Sequence, residues 1–100
     1  MTKTEKKIDK LICSALTIVC ERAKLQDSGF SWLTHQVDFA KVSSSLVIRF
    51  MFDSPEALSR ALVNRHKLIK LTEQVLNQHD IKLAQPNKQC RFEVEQNSCR

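Results

Sequence analysis

The chain has 100 residues, with sixteen Lys and Arg against eleven Asp and Glu, a formal charge of +5, and 42% apolar residues. That length supports one domain with a two-layer core that needs no metal or disulfide staple, and the composition excludes fibrous, low-complexity and disordered classes. The excess positive charge suits a polyanionic partner, because Lys and Arg gain affinity by releasing counterions from phosphates, although the basic residues are spread rather than blocked.

At the start, Lys3, Lys6, Lys7 and Lys10 precede the apolar run from Leu11 to Cys20, a layout shared with export signals. Glu5 and Asp9 interrupt the basic part, Val19 stands where cleavage before Cys20 would want a small residue, and the run continues unbroken into Glu21-Arg22. It is also too short to cross a bilayer. The expectation is a cytoplasmic chain with reduced thiols and no membrane partner.

From Thr4 to Gln26, Ile8, Leu11, Ile12, Ala15, Leu16, Val19, Cys20 and Ala23 recur at i, i+3, i+4, i+7 and predict an amphipathic helix. Thr2 and Glu5 have capping-box spacing, and Gly29 after Asp27-Ser28 is a stop. Ile18 and Leu25 fall outside the main stripe. Phe30 to Phe39 reads as a strand, with Leu33, Val37 and Phe39 on one face and Phe30 and Trp32 on the other. A polar connection from Ala40 to Ser44 leads to a second strand, Leu46 to Phe52. Both its faces are largely apolar, so it should be central, and the short connection predicts a hairpin.

Asp53-Ser54-Pro55-Glu56 is a helix start: a side-chain cap, a proline in the first turn and an acid at the positive end of the dipole. The stripe Leu58, Ala61, Leu62, Leu68, Ile69, Val75, Leu76 is interrupted by Arg65: either its stem snorkels to the edge, or the helix breaks or kinks near Asn64 and restarts near His66, the reading preferred here. Ile81-Lys82-Leu83 can pair briefly as a strand, and Gln85 to Lys88 is a turn. Cys90 to Glu95 alternates, with Cys90, Phe92 and Val94 inward, the pattern of an antiparallel strand with one wet face. The expected fold is α+β: a two-layer sandwich, an antiparallel sheet of three to four strands with helices on one face, in the order α-β-β-α-(α)-β. Residues 1–96 form the single domain and 97–100 a frayed tail.

No catalytic, metal or cofactor set is expected. Cys13, Cys20, Cys90 and Cys99 contain no C-x-x-C pair. Cys13 and Cys20 flank the core side of the first helix and Cys90 points inward, so they read as small hydrophobes, while Cys99 lies in the tail. Period two sends His35 and Asp38 to opposite faces, and His79 suits a helix C-terminus. An enzyme would need a pocket gathered from scattered residues such as His35, His66 and Cys90.

Two surfaces remain. Arg60, Arg65, His66, Lys67 and Lys70 surround the expected helix break and suit a nucleic-acid backbone, especially if Lys6 and Lys10 join the same patch. Phe30, Trp32, Val47 and Met51 would lie on a sheet face that no helix covers, suiting a protein partner or a homodimer, unless an irregular first strand turns Trp32 into the core.

Gly29-Phe30-Ser31-Trp32-Leu33-Thr34-His35, with Phe52-Asp53-Ser54 opening a helix, resembles a family of short gammaproteobacterial proteins that often carry the label Fis-family transcriptional regulator. Fis-like proteins are mainly helical and end in a helix-turn-helix. The strand expected at Cys90 to Glu95 departs from that, and the resemblance carries over no site residues. The element order is similar to that of the type II KH domain, an RNA-binding fold whose G-x-x-G loop between the middle helices grips the backbone. The matching stretch here, Asn64-Arg65-His66-Lys67, has no glycine.

Overall fold

The computed structural model describes residues 3–26 and 29–94. Thr2 of the expected capping box, the Asp27-Ser28 stop, the end of the last strand and the tail with Cys99 lie outside the described residues.

Helix α1, Lys3–Gln26, buries Ile12, Ala15, Leu16, Val19 and Ala23, the stripe read from the sequence. Strand β1, Phe30–Gln36, pairs antiparallel with β2, Val47–Phe52. Their connection is more ordered than a polar loop. A 3₁₀ turn, Phe39–Lys41, and a short helix α2, Val42–Ser45, fill it. Asp38 Oδ1 accepts from Ala40 N at 3.0 Å, and Ser45 Oγ donates to Asp38 O at 3.0 Å.

Helix α3, Pro55–Val63, starts with Ser54 Oγ accepting from Ala57 N at 3.2 Å and with Pro55 in its first turn. The expected break falls at Asn64 (φ −112°, ψ 22°), after which α4 runs Arg65–Gln78. The C-terminus of α4 is closed by its own chain. Asp80 adopts φ 62°, its N–H reaches Asn77 O at 3.1 Å and Ile81 N–H reaches Leu76 O at 2.8 Å, the paired bonds of a Schellman end. Nδ1 of His79 lies 2.9 Å from Val75 O.

Ile81-Lys82-Leu83 is not a strand. Ile81 and Leu83 are buried, and Ala84 N donates to Ser43 O at 3.0 Å, so the segment is an apolar strap. The expected turn at Gln85 to Lys88 becomes a one-turn helix α5, Pro86–Gln89. Buried Gln89 is fully used: its Nε2 donates to Ser43 O at 2.7 Å and to Leu46 O at 2.8 Å, and its Oε1 accepts from Gln85 N at 2.6 Å.

Strand β3, Cys90–Val94, completes a mixed sheet of order β1-β2-β3. It runs parallel to β2, with Ile48↔Cys90, Phe50↔Phe92 and Phe52↔Val94 in register, rather than antiparallel as expected. The alternation of Cys90 to Val94 reports one wet face, not direction. The excursion through α3 and α4 is the kind of long connection that joins neighbouring parallel strands. The α+β class, the central β2 and the helical cover are as the sequence implies.

One expectation about β1 fails in an informative way. The register slips between Phe30 and Trp32, a bulge that re-aims one side chain. Phe30 therefore pairs with Phe52 and turns inward, 6% exposed. Its ring lies 6.0 Å from that of Phe50 and 5.8 Å from that of Phe52, and Phe92 stacks on Phe50 at 5.1 Å. Phe30 belongs to the core and not to the open face.

Candidate functional site

The first candidate is the α3–α4 junction. Arg60, Arg65, His66, Lys67 and Lys70 are all exposed. Between Glu56 and Glu73 the chain carries no carboxylate, so the cations of this stretch have no acidic neighbour in sequence. Asn64 makes no side-chain cap for α4, and the Lys67 amide is taken by Asn64 O at 3.0 Å. An uncapped first turn presents backbone N–H groups and the positive end of the helix dipole to an anion. Beside it is a hollow of about 360 Å³ lined by Gln26, Ala61, Asn64, Lys67 and Leu68. Leu62 and Val63, 42% and 77% exposed, stand just before the break. Leu62, expected within the apolar stripe, therefore lies at its margin.

That hollow brings the C-terminal end of α1 to the start of α4. A separate hollow joins Ile8 and Leu11 to Asp80, Ile81 and Lys82. The helices are thus antiparallel, and Lys6 and Lys10 stand at the far end of α1. At ~1.5 Å per residue, Lys10 is roughly 24 Å along the helix axis from Gln26. Lys6 and Lys10 therefore do not join the junction's patch, the condition that would have strengthened the phosphate reading.

The second candidate is the open sheet face. Trp32 pairs with Met51, and Met51 with Glu93, giving a row across the sheet. Trp32 is 42% exposed, while Val47 and Met51 are half-buried. Trp32, Met51, Glu93 and Val94 line a hollow of about 760 Å³. The adjoining row holds Thr34, Arg49 and Arg91. Glu93 Oε2 lies 3.6 Å from Arg49 Nε and 3.8 Å from Arg91 Nε, so the carboxylate offsets part of that face's charge. Such half-exposed pairs contribute ~1 kcal/mol at most.

The scattered pocket of His35, His66 and Cys90 is not assembled. His35 and Cys90 flank Ile48 on opposite neighbouring strands, about two strand spacings apart, or ~9.5 Å. Burial, with Glu73 adding repulsion, pushes the Cys90 thiol up to about 12, so it stays protonated. Cys20 is half-buried, but Cys13 is exposed rather than packed in the core. Desolvation, with Asp9 contributing, raises its pKa too, the opposite of an activated nucleophile. Cys13 does not stand alone, however: Asp9 and His35 converge on it.

Family models, curated proteins and solved structures offer no match to this chain. The geometry must carry the reading. Among the described residues, no helix is long and apolar enough to cross a membrane.

Proposed function

We propose that this protein is a non-enzymatic binding module that takes the phosphate backbone of RNA or DNA at the α3–α4 junction. One observation carries the reading: exposed Arg60, Arg65, Lys67 and Lys70 surround an uncapped helix start in a stretch with no carboxylate. Cations supply the long-range attraction, and the first-turn amides supply directional donors. The open sheet face lacks this balance, because Glu93 sits beside Arg49 and Arg91. The order of the long elements, helix-strand-strand-helix-helix-strand, supports the same reading through its likeness to type II KH domains, an analogy of order alone.

Titration of mixed-sequence RNA and DNA at low and moderate salt tests this. Binding should weaken with salt, and R65A/K67A should flatten the log–log slope by about 0.7 per lost contact on a single strand. Absence of binding at low salt overturns the proposal.

A second reading rests on Trp32, the large apolar side chain exposed on the uncovered sheet face beside Met51. It makes that face a seat for a protein partner or a second copy of the chain. Sedimentation at two concentrations decides the homodimer: a monomer at both removes it.

A further inference from the structure

The groove between α1 and β1 gathers side chains that neither surface uses. Asp9 and Cys13 stand four residues apart on α1 and so share one flank of the helix. That flank borders the buried stripe of Ile12 and Leu16 without belonging to it: Asp9 is half-buried and Cys13 exposed. His35 comes from β1, where pairing with core residue Ile48 places it on the helix-covered side. A carboxylate oxygen of Asp9, Sγ of Cys13 and a ring nitrogen of His35 all lie within 4.8 Å of one another. Among the described residues, no hydrogen bond holds the His35 ring in another role.

We infer that Asp9, Cys13 and His35 form a site for one divalent transition-metal ion of the zinc class. Thiolate and imidazole select borderline-soft ions, and one carboxylate completes a set of three residues each of a type that ligates tetrahedral zinc. Calcium and magnesium are poor fits, because they want six or more oxygen ligands. Ligand atoms around zinc stand roughly 3.3–3.7 Å apart, from bonds of about 2.0–2.3 Å, so closing the set takes movements on the order of 1 Å. Cys13 is exposed and free to make them. Helix α1 is uninterrupted and β1, past its bulge, keeps register from Trp32 to Gln36, so the site is held on regular backbone.

The fourth position opens on a groove of about 430 Å³ lined by Leu16, Thr17, Cys20, Glu21, Lys24 and Leu33, together with Cys13 and His35. A water or an exogenous donor completes the shell there. The bound ion ties the first half of α1 to the C-terminal end of β1. This site stands independently of the phosphate reading at the α3–α4 junction.

Cobalt(II) titration of the full chain under reducing conditions tests it. A thiolate-to-cobalt charge-transfer band should saturate at one ion per chain and be displaced by zinc. C13S should abolish the band while far-UV circular dichroism stays unchanged. D9N and H35Q should each weaken zinc at least about tenfold, since outer-shell partners alone are worth that much. C20S and C99S should keep the band. Absence of the band, its survival in C13S, or its loss in C99S overturns the site.

Discussion

The two ends of α4 are built in opposite ways. At the C-terminal end the backbone is closed by its own chain. Asp80 takes φ 62° and Ile81 returns its amide to Leu76, and both Leu76 and Ile81 are buried. At the N-terminal end Asn64 leaves its side chain out of the cap and exposed cations crowd the first turn. A finished end is a structural joint. An unfinished end surrounded by charge has donors to offer a ligand.

Substitutions at each end can break this contrast. The largest effect belongs to the closed end. Leu76→Ala, at 0% exposure, should lower unfolding free energy by about 2–5 kcal/mol in urea denaturation. Leu62→Ala, at 42% exposure beside the open end, should stay within about 1 kcal/mol, and equal losses would erase the distinction. Next comes R65E/K67E, which should reduce nucleic-acid affinity by at least about tenfold at low salt, with the urea midpoint unchanged. Asn64→Asp is the sharpest probe. A carboxylate at the helix start should raise stability by about 0.3–1 kcal/mol and weaken phosphate binding, since it competes for the same amides. Unaltered affinity would mean that the amides are not the seat. The smallest effect is Asp80→Gly, which relieves a positive φ and should raise stability by about 0.5 kcal/mol in thermal melts, with binding untouched.

The sequence was most legible where local chemistry decides. The α1 stripe, the Ser54-Pro55 start, the central β2, the interruption at Asn64 and the C-terminal role of His79 follow from periodicity and capping. It was least legible where distant segments decide. A bulge at Ser31 moved Phe30 from the open face into the core, because period two fails once a register slips. The direction of β3 depends on the path of α3 and α4, which no alternation of Cys90 to Val94 reveals. The junction's cations were visible in sequence, but whether Lys6 and Lys10 join them was not, because that depends on α1 and α4 running antiparallel. The grouping of Asp9, Cys13 and His35 was half visible. The i, i+4 spacing on α1 is plain, but which strand residue meets that flank is settled by packing.

Gln89 has a consequence for the order of folding. Its amide ties β3 to carbonyls 46 and 43 residues earlier in the chain, Ser43 and Leu46. The β1–β2 hairpin is local and able to form early, whereas the β2–β3 pairing must close a long loop first. Until it closes, Phe50 and Phe52 lack their stacking partner Phe92, and one edge of β2 is unpaired. A buried amide with every polar atom engaged opposes reversal of that docking, since opening it breaks both of its bonds to Ser43 O and Leu46 O at once. Gln89 thus acts as a latch on the last strand, biasing a transiently open sheet toward closure before another chain's edge can pair with it.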